Sequence, residues 1–225
     1  MNSPEQAERR RRVPAMAPED RRAALIAATV PLLHEHGLDV STRQIAQAAG
    51  VAEGTIFGVF SDKNSLIIAA LGQALDPRPT LDALAAIDPG TGLRDRLTAA
   101  ATLINERFTG NAHLMSAARV LMLASDAPPE AAERMARSRQ SLLEALTAVI
   151  EPDAGLLRRS PGAVARLLLL FCGANTFGPF GDPRRFDGGE IVSLLLDGLL
   201  VIPAGHDPPA VPLIAAHQDH THGGA

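Results

Sequence analysis

The segment that begins at Ser41 constrains the fold of this chain more than any other. Ser41 is followed three residues later by Gln44, the spacing of a capping box in which each side chain accepts a hydrogen bond from the other residue's backbone N–H. A helix is therefore predicted over 42–49, and Gly50 ends it because glycine adopts the left-handed backbone of a helix end without strain. A second short helix follows at 53–60, so the sequence predicts a helix-turn-helix.

The rest of the chain is also predicted to be helical. Hydrophobic residues make up 46% of the chain and aromatic residues 3%, so Ala and Leu dominate the core and favour helices over strands. Glycine and proline divide the apolar pattern into further helices at about 18–36, 62–71, 80–87, 92–109, 111–124, 128–150, 160–178 and 187–202. The predicted fold class is all-α with nine to ten helices: an N-terminal three-helix helix-turn-helix domain and a larger C-terminal helical domain.

The predicted domain organisation has four parts. They are a disordered, Arg-rich arm over 1–17, the helix-turn-helix domain over 18–68, a second helical domain over 69–203, and a disordered, His-rich tail over 204–225.

Charge and cysteine content exclude several classes of protein. The formal net charge of −4 argues against a protein that coats nucleic acid, although the run Arg9–Arg12 provides local positive charge. Cys172 is the only cysteine, so no intramolecular disulfide forms. The two most apolar segments are interrupted by charges and by Gly or Pro, and neither is expected to span a membrane. We therefore expect a cytoplasmic protein.

The sequence carries no motif of a catalytic or cofactor site. It has no Gly-rich phosphate loop, no His-Glu metal motif and no Ser-centred elbow. Cys172 lies within an apolar helix, where burial disfavours the thiolate, and it is interpreted as a small core residue. We expect a protein that is not an enzyme and that has no cofactor or metal site.

The residues around the two short helices resemble the signature of the tetracycline-repressor (TetR) family. The resemblance covers about residues 21–68 and rests on Leu25, Ile26, Leu33, Gly37, Thr42, Ile45, Ala46, Ala49, Gly50, Val51, Gly54, Thr55, Ile56, Phe57, Phe60, Lys63 and Leu66. It implies a homodimeric regulator, in most members a repressor, whose N-terminal domain binds a palindromic DNA operator and whose C-terminal domain binds an inducer. The chain departs from the family at Phe57, where Tyr is usual. It departs again at Ala52, where the loss of Ser or Thr removes a helix cap worth about 1 kcal/mol.

The predicted DNA-binding residues fall into three groups. Thr42, Arg43, Thr55 and Lys63 lie at helix N-termini, where backbone N–H groups favour a phosphate; for Lys63, which the helix dipole disfavours, the resemblance implies such a contact. Base reading is assigned to Glu53, Thr55 and Gly58, with Arg43 a possible guanine reader, and the arm is expected to reach the DNA backbone or minor groove. The complete set is Thr42, Arg43, Ala52, Glu53, Gly54, Thr55, Phe57, Gly58, Lys63, Arg11 and Arg12.

The domain over 69–203 is predicted to bind a ligand and to form the dimer, and its helices contain candidates for both surfaces. Flexible sulfur, aromatic edges and a few polar groups suit an apolar pocket, and ordinary core packing is the alternative for each residue. The pocket candidates are Phe108, Met115, Arg119, Met122, Phe171, Cys172, Asn175 and Phe177. The last two helices are apolar on more than one face, which predicts a two-fold dimer contact. The dimer candidates are Leu167, Leu170, Ile191, Leu194 and Leu195.

Two other functions fit the sequence. The tail histidines, His206, His217, His220 and His222, could bind a transition metal and make the regulator metal-responsive, but their spacing is irregular. A helical adaptor that uses the helix-turn-helix for protein contacts is the second alternative. The residues alone do not identify the inducer, the operator sequence or the regulated genes.

Overall fold

The computed structural model describes residues 17–123, 129–177 and 185–197. The predicted arm, with Arg11 and Arg12, and the His-rich tail lie outside these residues. All regular elements of the described part are helical, as predicted. The α-helices are α1 (Pro18–His36), α2 (Thr42–Ala49), α3 (Gly54–Phe57), α4 (Lys63–Ala74), α5 (Arg78–Ala85), α6 (Leu93–Gly110), α7 (Ala112–Leu123), α8 (Pro129–Ile150), α9 (Pro161–Phe177) and α10 (Gly188–Asp197).

Short 3-10 helices occupy Gly37–Asp39 and Glu151–Leu156. No helix in the described ranges is both long enough and apolar enough to cross a membrane.

The ends of α2 form as the sequence predicts. The Ser41 hydroxyl accepts a hydrogen bond from the Gln44 backbone N–H at 3.2 Å, and the Gln44 side chain accepts one from the Ser41 N–H at 2.8 Å. Gly50 ends the helix with φ 66° and ψ 32°, the left-handed conformation that glycine tolerates best. The capping box and the glycine stop are therefore confirmed.

The helix α3 is shorter than the predicted span of 53–60. Beyond Gly58 the backbone turns so that Phe60 enters the core, with its N–H donating to the Ile56 carbonyl at 2.8 Å. The Arg22 guanidinium of α1 lies 4.3 Å from the centroid of the Phe60 ring, so a cation–π contact covers the buried aromatic. Burial of Phe60 takes precedence over continuation of the helix.

Two hydrophobic cores organise the described residues. The N-terminal core is built by α1 to α4 and includes Leu25, Ile45, Ile56 and Leu66, all without solvent exposure. Leu114 of α7 is fully buried in the same core, so a helix distant in sequence completes it.

The C-terminal core joins α5, α6, α8, α9 and α10. Its fully buried members include Leu97, Ile104, Leu146, Leu168 and Ile191. The many apolar contacts of α6 with α9 and α10 make α6 the central helix of this core.

Candidate nucleic-acid interface

The helix-turn-helix is held rigid by side chains that its two helices bury against each other. Ile45 of α2 and Ile56 of α3 have no exposed surface. The Val51 N–H donates to the Ala46 carbonyl at 3.0 Å and tightens the turn between the helices. Apolar burial of this kind fixes the crossing angle and leaves the opposite faces free for contacts outside the chain.

The predicted DNA-binding residues of this segment keep access to solvent. Arg43, Ala52, Glu53, Gly54, Phe57 and Gly58 are exposed, whereas Thr42, Thr55 and Lys63 are half-buried. Phe57 keeps 54% of its surface exposed, which is unusual for an aromatic residue on a helix that packs in a core. The roles assigned to these residues stay predictions.

Thr42 and Glu53 are joined by a side-chain hydrogen bond that the sequence did not predict. The Thr42 hydroxyl at the start of α2 donates to Oε1 of Glu53, which directly precedes α3. In the free protein the Thr42 hydroxyl is therefore engaged with a carboxylate, and it becomes available to a phosphate only if that bond is exchanged.

Lys63 uses one of its protons inside the protein. Its Nζ donates to the Leu38 carbonyl at 3.1 Å and so ties the start of α4 to the 3-10 helix after α1. An ammonium group has three donors, so two remain for other partners. The proposed phosphate contact is compatible with this geometry and stays a prediction.

Asp62 caps α4 through a second capping box. Its carboxylate accepts from the Ser65 N–H at 2.7 Å, and the Ser65 hydroxyl accepts from the Asp62 N–H at 3.4 Å. The hydrogen bond from the Ser65 backbone lowers the pKa of the Asp62 carboxyl below its ordinary value, because it favours the ionised form. The sequence predicted a helix start here without this box.

The start of α3 lacks a side-chain cap, as the alanine at position 52 predicted. Gly54 follows directly, and no described atom lies within 4 Å of the position that a Cβ would occupy there. Its φ also lies outside the left-handed range. Within the described part of the chain, neither packing nor backbone conformation requires glycine at this position.

The charge of the helix-turn-helix region does not by itself favour DNA. Residues 18–70 contain four Arg or Lys and six Asp or Glu, a formal charge of −2. Phosphate binding needs positive potential, which this region supplies only at individual side chains.

The predicted pocket residues are divided between the two cores. Phe108, Phe171 and Cys172 belong to the C-terminal core, while Met115 and Met122 lie half-buried on α7. Arg119 of α7 is exposed and so does not place a charge in the interior. The side chain of Phe177 lies outside the described set. The structure therefore places three of the candidates, Phe108, Phe171 and Cys172, in one core, and the ligand-binding role of the set stays a prediction.

Cys172 is fully buried and contacts the Ala101 carbonyl through its sulfur at 3.9 Å. Burial raises the pKa of its thiol to about 12, so the thiolate is not populated at neutral pH. This agrees with the interpretation of Cys172 as a core residue.

Asn175 lines a cavity of about 480 Å³. Its amide nitrogen donates to the Phe186 carbonyl at 2.9 Å and its amide oxygen accepts from the Phe186 N–H at 3.0 Å. The cavity is otherwise lined mainly by polar residues of α6 and of the segment that leads into α10, including Asn105, Glu106 and Arg185. Of the described pocket candidates, Asn175 alone lines this cavity.

Arg96 is the buried charged residue that sequence reasoning missed. Its guanidinium donates to the carbonyls of Val149, Pro89 and Thr91 and forms an ion pair with Asp153. It borders a smaller cavity of about 230 Å³. A single arginine in an amphipathic helix gives no sequence signal for such a role.

The predicted dimer residues separate into two groups. Leu167 and Leu170 of α9 are 48% and 62% exposed, and Leu194 and Leu195 of α10 are half-buried. Ile191, in contrast, has no exposed surface and belongs to the protomer's own core. Its assignment to the dimer surface is corrected on that ground, because a second copy cannot reach a side chain already packed between α10 and α6.

Two histidines, one on α1 and one on α7, lie in contact with each other. The rings of His34 and His113 lie edge to face with centroids 5.3 Å apart. No group of three or more His, Cys, Asp or Glu residues within the described ranges is placed to hold a metal ion. The tail histidines proposed as metal ligands lie outside these ranges.

Comparisons with known proteins agree with this geometry. Residues 25–70 match the family described as bacterial regulatory proteins, tetR family. Among solved structures, a TetR/AcrR family transcriptional regulator from Thermobifida fusca is 22% identical, with 81% of this chain and 100% of that chain covered and a TM-score of 0.60. A transcriptional regulator from a Rhodococcus species is 25% identical over 81% of this chain and 94% of that chain, with a TM-score of 0.55.

The transcriptional regulator FadR from Bacillus subtilis, solved in complex with stearoyl-CoA, is 15% identical over 79% of this chain and 99% of that chain, with a TM-score of 0.56. The matched region contains α2, α3 and the buried residues that hold them, and the shared fold extends over both cores. Residues 25–70 therefore match the tetR family of bacterial regulatory proteins, and the fold of the described residues is similar to that of solved transcriptional regulators.

Proposed function

We propose that this protein is a dimeric, ligand-responsive repressor that acts in the cytoplasm, at the nucleoid. It binds a palindromic operator through α2 and α3 and is released by a small, largely apolar inducer. The observation that carries the proposal is the rigid pairing of Ile45 with Ile56, which leaves Phe57 and Gly54 exposed on the outer side of the recognition helix. A helix presented in this way fits a major groove.

Dimerisation is supported by the apolar surface of α9. Leu167 and Leu170 are three residues apart on one face of the helix, and both are largely exposed. Pairing of this face with its copy across a two-fold axis would remove it from water and would place two recognition helices on one duplex. The half-sites would then lie one helical turn or a multiple of it apart.

The inducer is proposed to bind among the helices of the C-terminal core. The similar fold of a regulator solved with stearoyl-CoA supports a ligand with a large apolar part, although that complex is a property of that protein. Binding would favour a dimer whose recognition helices no longer match the operator spacing, with a coupling of about 1–3 kcal/mol as is typical of such systems.

The arm is proposed to supply the positive charge that residues 18–70 lack. Arg11 and Arg12 belong to a run of four arginines that precedes α1. Each phosphate contact adds to the salt dependence of binding, so deletion of residues 1–12 should weaken operator affinity and reduce the salt slope. The predicted phosphate contacts of Arg43 and Lys63 would account for the remaining slope.

The operator-binding function is tested by selection of duplexes from a random DNA pool, followed by footprinting upstream of neighbouring genes. We expect enrichment of a palindrome by the wild-type protein. Leu167→Glu should convert the dimer to a monomer in sedimentation and weaken binding to that palindrome by at least tenfold. As a matched control, Leu156→Glu places the same charge on an exposed leucine of the 3-10 helix before α9 and should leave the dimer intact.

Failure to enrich any duplex would contradict DNA recognition. A wild-type protein that is monomeric while it binds DNA would contradict the proposed dimer.

A further inference from the structure

Glu53 is an acidic side chain on a surface that has to approach a polyanion. Residues 18–70 carry a formal charge of −2 with Glu53 included, and each carboxylate close to phosphates opposes binding. Asp62 is accounted for by its role as the cap of α4. Glu53 has no such structural role: it makes no cap hydrogen bond at the start of α3, and no basic side chain of the described residues forms an ion pair with it.

The carboxylate of Glu53 is nevertheless held in place. The Thr42 hydroxyl donates to Oε1, so one oxygen is fixed from the neighbouring helix. Glu53 as a whole is exposed, and no described donor bonds to its other oxygen. An ionised carboxylate is an acceptor only. The pair therefore presents an oriented acceptor at the N-terminal end of the recognition helix, the part of such a helix that contacts base edges.

The donors of the major groove determine what this acceptor can bind. Guanine presents two acceptors there, and thymine presents an acceptor and a methyl group. Adenine presents its amino donor beside the N7 acceptor, which repels a second carboxylate oxygen. Cytosine presents its N4 amino group without a neighbouring acceptor on the same base. Cytosine is thus the base that an oriented carboxylate recognises best.

We propose that Glu53 determines operator specificity by accepting a hydrogen bond from the N4 amino group of one cytosine in each half-site, and that Thr42 is the residue that positions it. The proposal rests on the operator-binding function above. In this role the carboxylate lowers the affinity for duplexes that lack this cytosine, because there no hydrogen bond to cytosine N4 offsets its repulsion from the phosphates.

The experiment compares duplexes selected from one random pool by the full-length wild-type chain, Glu53→Ala, Glu53→Gln and Thr42→Val. We expect one invariant C·G pair per half-site for the wild type, and about tenfold weaker binding when that pair is replaced in the selected duplex. Glu53→Ala should lose the preference at that pair, to less than threefold, and keep every other position. Glu53→Gln should favour adenine there, since a carboxamide pairs with its N6 and N7 atoms.

Thr42 is tested by its effect on the same position. Thr42→Val should reduce the preference for cytosine, and Thr42→Ser, which keeps the hydroxyl, should restore it. A merely structural or phosphate-binding threonine would instead change the affinity for all duplexes by the same factor. Both side chains have solvent access, so the variants are expected to keep the fold. Thermal melting of each variant checks this.

Three outcomes would overturn the proposal. If Glu53→Ala and Glu53→Gln bind all duplexes more tightly with unchanged base preferences, the carboxylate only repels phosphate and does not read a base. If the wild-type chain enriches no duplex, operator binding itself fails and this proposal fails with it. A selected palindrome without a cytosine that depends on Glu53 refutes the proposal and leaves operator binding intact.

Discussion

The guanidinium of Arg107 on α6 donates a 2.7 Å hydrogen bond to the backbone carbonyl of Leu75, the residue that ends α4. A second bond of 3.0 Å reaches the carbonyl of Asp76. Burial lowers the pKa of Arg107 from its ordinary value, and the nearby Asp76 carboxylate opposes that shift. The end of α4 carries partial negative charge, which stabilises the buried cation. Arg107 thus connects the central helix of the C-terminal core to the helix that follows the recognition unit.

Replacement of Arg107 by methionine should loosen this connection. The carbonyls of Leu75 and Asp76 would lose charged donors, and a hydrogen bond to a charged group contributes about 1.5–3 kcal/mol. We expect the free energy of unfolding to fall by about 2–3 kcal/mol, measured by urea denaturation, and the operator affinity to change as α4 shifts. Arg119→Met, at an exposed position of α7, removes the same charge and serves as the control. Equal stabilities of the two variants would refute the role of Arg107.

Gly54→Ala should weaken DNA binding without destabilising the fold. A Cβ at Gly54 meets no described atom, and alanine favours a helix over glycine by about 1 kcal/mol, so the melting temperature should stay the same or rise. Operator affinity should nevertheless fall by at least tenfold, because the added methyl group would meet the DNA. Gly110→Ala, at an equally open helical position, should leave operator affinity unchanged. Full operator binding by the Gly54 variant would mean that DNA does not approach this residue closely.

The loss of stability caused by Asp62→Ala should depend on pH. The folded pKa of Asp62 lies below its ordinary value of 3.8, so its stabilisation is present above pH 3.8 and is lost as the pH falls through the folded pKa. We expect the variant to be less stable by about 1 kcal/mol at pH 7, with the difference shrinking below pH 3.8 in denaturant titrations. Ser41→Ala removes an uncharged cap from α2 and should cost a similar amount at both pH values. A pH-independent difference for Asp62→Ala would contradict the capping role of its charge.

Arg96→Met should destabilise the C-terminal core more than any of these substitutions. The guanidinium is almost completely buried, and its loss would leave Asp153 and three backbone carbonyls without their donor. Removal of one partner of a buried ion pair costs about 3–5 kcal/mol. Thermal or urea unfolding would measure the change. Arg94→Met, which breaks the exposed ion pair with Asp197, should change the stability far less, because solvent screens that pair.

The ends of the helices could be predicted because their signals are local. Ser41 with Gln44, and Gly50 eight residues beyond Thr42, act within one or two helical turns, and the structure reproduces both. The partners of Thr42 and Lys63 could not be predicted, because a sequence pattern shows that a side chain is polar without showing which acceptor lies beside it. Their bonds to Glu53 and to the Leu38 carbonyl depend on how whole helices pack.

The sequence also could not predict which sides of the last two helices point into the core. Both α9 and α10 are apolar around most of their circumference, so periodicity does not indicate which side points inward. The structure places Leu167 and Leu170 outward and Ile191 inward. Sequence reasoning had grouped all three on one surface.

The burial of Leu114 in the N-terminal core has a consequence for protein engineering. If residues 18–70 were fused to the ligand-binding domain of another protein, the N-terminal core would lack the side chains of α7. The hybrid would then aggregate, or α1 and α4 would separate. A functional hybrid would therefore have to contain α7 together with residues 18–70. Exchange of specificity between relatives is therefore achieved more safely by substitutions on α2 and α3 than by transplanting the whole unit.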